Sequence, residues 1–278
     1  MLGVFLTSLA TLFEEISSSI GKWKVAMQEE SVFTMGFLSV LGASLFFLVI
    51  AIVKENSFVF SVQSLPTFLV RAVLEILQLH TSMMAVVRSD RSTYGFIRTG
   101  TIVLVLIIDI TLGYKLHLTQ LIGIGVIIFS LLFIFTSHSI NKRGIGYTIF
   151  CTVNAAITTS LYKYNISHFN SVVAEQLITC GMLSIVFSIG AYIFAKENPF
   201  VFLKKRIYMA QTSTQGIDAV IESFAYGLAP ASVIIAAKRS SAVFWSVLSG
   251  KAYFKEKNTL VKILLFAVLA GGIILLVF

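Results

Sequence analysis

Charge is scarce in this sequence. Only 12% of its 278 residues are Asp, Glu, Lys or Arg, 57% are hydrophobic, and the mean hydropathy is +0.91. A soluble domain carries about a quarter charged residues, so there is too little charge here to cover a water-exposed surface. That excludes a soluble globular protein and predicts an all-α chain that crosses a membrane several times. Proline is nearly missing as well, with three residues, and no Ser/Pro/Gly-rich linker divides the chain. No appended nucleotide-binding or catalytic module fits. Both cysteines, Cys151 and Cys180, lie in apolar runs and read as small buried hydrophobes, not as a disulfide or metal site. No Walker A loop, G-x-G-x-x-G before a helix, H-E-x-x-H or paired C-x-x-C occurs, so the motif-borne chemistries of phosphate, dinucleotide and zinc have no support. No cofactor and no nucleic-acid partner is expected. The net charge of +8 reads instead as membrane orientation and contact with anionic headgroups.

What is present is apolar sequence in helix-sized runs. A helix crosses the hydrocarbon core with about 20 apolar residues. Ten such segments can be marked: 2–21, 32–53, 64–87, 92–112, 118–137, 144–162, 171–195, 207–228, 232–252 and 259–278. The first is interrupted by Glu14 and Glu15 and lacks a basic start and a small-residue cleavage site, so it reads as a retained span and not as a signal peptide.

The segment Lys54-Glu55-Asn56-Ser57-Phe58-Val59-Phe60 recurs as Lys196-Glu197-Asn198-Pro199-Phe200-Val201-Phe202, 142 residues later. Half a chain length separates the copies, so the repeat predicts a duplication into residues 1–137 and 144–278, each of five spans. Five is odd, so the second half must enter the membrane from the opposite side. Inverted repeats of this kind characterise many secondary transporters, with the substrate site between the halves at mid-membrane.

The polar residues inside the spans extend the register. Arg71, Glu75, Gln78 and Ser82 share a spacing of i, i+4, i+7, i+11 with Gln211, Gln215, Asp218 and Glu222, at an offset of 140. Each set falls on one helical face. An ionisable group at the centre of a span costs roughly 2.5–3.5 kcal/mol on insertion scales and tends to face a bundle interior or a water-filled cavity. Both faces are therefore expected to line a central cavity. Arg71 and Glu75 could simply neutralise each other; Asp218 and Glu222 have no basic partner on their own face and are candidates for a proton or a substrate amine. Arg98 and Asp109 share a face of the fourth span. Lys238 and Arg239 follow in the ninth, with Trp245 one stripe further. Arg98 with Lys238 is the expected pair for an anionic group. Of the adjacent Glu14 and Glu15, which point about 100° apart, Glu15 is expected at the site. Asn154 adds a milder polar face, and Glu175 is expected at the membrane interface.

Two halves of five spans resemble the EamA family of the drug/metabolite transporter superfamily. The likeness rests on Ala229-Pro230-Ala231-Ser232-Val233 through Lys238-Arg239-Ser240-Ser241 to Tyr253-Phe254-Lys255-Glu256-Lys257, on Arg98 to Tyr114 followed by Leu121-Ile122-Gly123-Ile124-Gly125, and on Ile16-Ser17-Ser18-Ser19-Ile20-Gly21-Lys22. Leu116 stands where the family's turn carries an acidic residue. The resemblance implies ten helices around a central cavity and alternating-access transport of a small metabolite, with export the expected direction and no enzymatic activity. The expected partners are a small-molecule substrate, protons as a coupling ion, and the lipid bilayer, with the chain a monomer or homodimer. Two rival readings are a flippase for a glycosylated or isoprenoid lipid and an intramembrane enzyme.

Loop charges give an orientation. Thirteen basic residues follow odd-numbered spans; only Lys54, Lys115 and Lys163 follow even-numbered ones. The positive-inside rule then places both termini of a multi-pass cell-membrane protein outside, whereas the resemblance implies both in the cytoplasm.

Overall fold

In the computed structural model, residues 2–111, 118–136, 142–228, 231–255 and 259–277 are described, and no strand occurs among them. The helices are α1 (Leu2–Ala26), α2 (Val32–Val53), α3 (Leu65–Arg88), α4 (Arg91–Arg98), α5 (Gly100–Thr111), α6 (Leu118–Thr136), α7 (Ile145–His168), α8 (Val172–Gly190), α9 (Pro199–Phe202), α10 (Arg206–Leu228), α11 (Ala231–Ala252) and α12 (Thr259–Val277). Among the described residues, five helical stretches are long and apolar enough to cross a membrane: Val32–Val53, Val62–Arg88, Arg91–Ile108, Val172–Ala195 and Ala231–Ala252. Helices α1 and α10 carry carboxylates and amides within their apolar sequence, which lowers their average hydropathy.

Local chemistry sets the boundaries. Ser31 starts α2 by accepting from Thr34 N, and Ser171 starts α8 by accepting from Ala174 N, each satisfying an otherwise orphaned amide. The segment 92–112, expected as one span, is broken at Thr99. The Thr99 hydroxyl donates to the Phe96 carbonyl at 2.5 Å, and Gly100 follows. A side chain bonded back into the preceding turn, next to glycine, weakens the ladder at that point.

Helices α2 and α8 lie side by side and antiparallel. Ser31 N, at the start of α2, donates to Glu197 just past α8. Ser171 N, at the start of α8, donates to the Val59 carbonyl beyond α2. The two Lys-Glu-Asn copies thus stand at opposite ends of this helix pair. Midway, the hydroxyls of Ser44 and Ser184, 140 residues apart, meet at 3.0 Å. Around them, α10 packs on α2 and α1, α11 on α1 and α4, and α7 on α4, α5 and α3. The result is a ring whose loosest seam lies between α3 and α8. Helices α6 and α12 pack on one another outside this ring.

Glycine makes the α2–α10 seam tight. A Cβ on Gly216 would come within 2.7 Å of the Gly42 backbone carbon, and one on Gly42 would overlap the Thr212 carbonyl oxygen. Only hydrogen at both positions permits this approach.

Candidate functional site

The ring encloses a cavity of about 270 Å³. Its walls come from α1, α2, α3, α4, α7, α8, α10 and α11. Arg71, Glu75, Gln78 and Ser82 of α3 all line it, and Gln215, Asp218 and Glu222 of α10 line it as well. The i, i+4, i+7 spacing brings these groups to one side of each helix.

Three charged groupings occupy the walls. Lys238 on α11 bridges two other helices, reaching Glu222 of α10 at 2.5 Å and Glu14 of α1 at 3.4 Å. Tyr226 donates to the other Glu222 oxygen at 3.4 Å. A second grouping lies where α3, α7 and α8 meet. Arg71 Nη1 donates to Glu175 Oε1 at 2.8 Å and to Thr179 Oγ1 at 3.3 Å, and its Nε lies 3.5 Å from Glu75. Asn165 and Asn170 donate to the two Glu175 oxygens at 2.8 and 2.6 Å. Glu175 is fully buried, and Arg71 and two amides supply the partners that water would otherwise provide.

The third grouping is incomplete. Arg98 donates Nη1 to the Cys151 carbonyl at 2.5 Å and stacks 5.8 Å from the Tyr94 ring centre, but its Nε has no partner. The Nε of Arg239 is likewise buried without a partner. Across the cavity Asp218 accepts from Gln215 at 3.1 Å through one oxygen, and its Oδ1 has none. Buried polar atoms are almost always hydrogen-bonded. Arg98, Arg239 and Asp218 all line the cavity, and each keeps one buried atom without a hydrogen-bond partner, as does Arg71 at Nε apart from its 3.5 Å approach to Glu75.

The remaining expected residues are placed differently. Asn154 stands behind the wall, donating to the Leu74 carbonyl at 2.8 Å and to Gln78 at 3.1 Å, so it orients Gln78. Glu15 lies off the cavity: it accepts from Arg91 and from Ser249. It is Glu14 that lines the cavity. The two differ by a 100° rotation on α1, which side-chain spacing alone did not fix. Trp245 lines a separate, largely apolar crevice. Asp109 falls on α5, and its side chain lies outside the described residues. Lys238, expected beside Arg98, is engaged by two carboxylates, and the neighbouring Arg239 also lines the cavity. Tyr94, Tyr162 and Gln176 complete the wall; nothing in their spacing marked them.

Beyond the spans, the turn between α1 and α2 holds two carboxylates in contrasting states. Lys24, at 2.9 Å, holds Glu29 below the usual carboxylate range. Glu30 is only 3% exposed. Burial pushes its carboxyl up to about 8, with Glu197 and Glu29 adding to the rise and Gln211 and Lys24 opposing it.

No protein-family model and no curated protein matches this sequence.

Proposed function

We propose that the protein is a secondary active transporter that moves a small polar or charged metabolite across the membrane by alternating access. In this reading ten helical segments span the bilayer as two inverted five-helix halves of the EamA type, with both termini on one side. The antiparallel α2–α8 pair and the Ser44–Ser184 contact support the inversion, since residues one repeat apart meet on a two-fold axis.

The observation that carries the proposal is the gathering of charged residues around one cavity, several of which keep a buried polar atom without a hydrogen-bond partner, among them Arg98 Nε, Arg239 Nε and Asp218 Oδ1. Arg98 and Arg239 would hold an anionic group of the substrate by charge-assisted hydrogen bonds. Asp218 would take a substrate amine or hydroxyl, or a coupled proton. Lys238, tied to Glu14 and Glu222, would change partners as α1, α10 and α11 shift, which links occupancy to movement.

The test begins with a ligand screen on the purified protein, in which a bound metabolite raises the melting temperature. Transport of that metabolite in proteoliposomes should fall about tenfold or more in Arg239→Gln and in Asp218→Asn, the loss expected for a hydrogen bond to a charged group. Wild-type rates in both variants would sink the site assignment. A lipid-linked substrate is the second reading, favoured by the loose α3–α8 seam. Scrambling of a labelled glycolipid, with no uptake of soluble metabolites, would establish it instead.

A further inference from the structure

The chain has only two tryptophans, and both line one crevice away from the cavity. Trp23 and Ile16 of α1 face Trp245 and Leu248 of α11 across a space of about 660 Å³. Its one carboxylate is engaged: Glu15 accepts from Arg91 Nε at 3.0 Å, from Ser19 at 3.2 Å and from Ser249 at 2.5 Å. The lining is otherwise almost wholly apolar, and the crevice ends at the aromatic residues Tyr253 and Phe254.

We propose that this crevice binds an anionic phospholipid, with an acyl chain between α1 and α11 and the headgroup on a basic rim. The rim is built from residues adjoining the lining. Arg206 precedes Ile207, Lys251 precedes Ala252 and Lys255 follows Phe254, and all three cations are exposed. Lys22 is fixed against the same end, donating to the Ser89 carbonyl and lying 5.1 Å from the Phe254 ring centre. Tryptophan and tyrosine favour the headgroup level of a bilayer, and basic pockets between spanning helices on the positive side recruit anionic headgroups. An apolar slot with a cationic mouth at that depth fits a lipid of this charge in a way that a zwitterionic headgroup does not.

The matching positions of the other half differ in part. At the 140-residue offset, Trp23 is matched by Lys163, Trp245 by Val105, Lys251 by Thr111 and Arg206 by Pro66, while Lys255 is matched by Lys115.

Because the two tryptophans are the only ones, their fluorescence reports the crevice directly. The full-length protein is placed in nanodiscs of phosphatidylcholine containing a minor fraction of brominated-chain phosphatidylglycerol or, in parallel, brominated-chain phosphatidylcholine. The anionic lipid should quench with about five-fold higher relative affinity, the increment of one basic contact. Lys251→Glu with Lys255→Glu should abolish the preference. Ala252→Leu, which narrows the crevice and leaves the rim intact, should abolish it too. Equal quenching by both lipids, or a preference that survives Ala252→Leu, would overturn the proposal as ordinary annular lipid. Quenching by neither would also overturn it, because the crevice would then be covered by protein, as in a second copy of the chain. If soluble glycerol phosphate erased the preference, the rim would be a phosphate site and not a lipid site. Failure to enter nanodiscs at all would count against the membrane reading itself, an outcome distinct from all of these.

Discussion

Helix α2 meets α10 through glycine, whereas α3 meets α8 through charge. At the first seam Gly42 and Gly216 let the backbones touch. At the positions 140 residues away stand Met182 and Ile76, whose side chains hold α8 and α3 apart, and the seam is pinned by Arg71 and Glu175. Gln211 takes the place of Arg71 in the second half, and Glu30 takes the place of Asn170 in the first. The two seams are built differently, one as a close-packed join and the other as an ion-paired clasp. A join of backbones leaves no room for a side chain, whereas an ion pair holds two helices further apart.

Breaking the clasp should have the largest effect on stability. Arg71→Met leaves Glu175 buried without its cation, at a cost of about 3–5 kcal/mol. The double variant with Glu175→Met should recover much of that loss, because a buried pair replaced by apolar residues is often neutral or better. Thermal melts in detergent will tell: if Arg71→Met melts like wild type, the clasp does not hold the seam. Gly42→Ala comes next. Its methyl has no room beside Thr212, so overpacking should cost about 1–3 kcal/mol, while Ile76→Leu at the matching seam should cost less than about 1.5 kcal/mol. Equal costs would show that the seams are built alike.

Glu30, at the end of the glycine seam, gives a pH signature. Its carboxyl titrates near 8 in the folded protein and near 4.5 when unfolded, so the folded state binds the proton more tightly. Its contribution to stability is complete below about 4.5 and is lost as pH rises towards about 8. Glu30→Gln should leave the melting temperature unchanged at acid pH, raise it by a few degrees above pH 8 and flatten the profile between. A variant with the wild-type slope would place the titration elsewhere.

The smallest contrast lies in the repeated motif. Glu197 accepts from Ser31 N at 3.1 Å and from Thr34 Oγ1 at 2.5 Å, while Glu55 is exposed. Glu197→Gln should cost about 1 kcal/mol and Glu55→Gln less than about 0.5 kcal/mol, measured by the same melts.

Much of this could be read before any coordinates. The helical segments follow from apolar run length. The cavity faces of α3 and α10 follow from the i, i+4, i+7 spacing, since a polar side chain in an apolar helix has few places to point. Glu14 could not be chosen over Glu15, because α1 has no periodic stripe strong enough to fix its rotation. Glu175 opens α8, and only the convergence of Arg71, Asn165 and Asn170 from distant parts of the chain shows what buries it. Trp245 sits near Lys238 in sequence, yet it lines the outer crevice that Trp23 also lines.

Composition alone determined the helical, apolar character of this chain, because so few charges cannot solvate a surface. The internal repeat determined which positions, 140 residues apart, are to be compared. Which charges are neutralised and which face the cavity without a partner was decided only by tertiary structure. An ion pair depends on a few ångströms between side chains that the sequence sets far apart: Glu14 from Lys238, Arg71 from Glu175, Glu15 from Arg91.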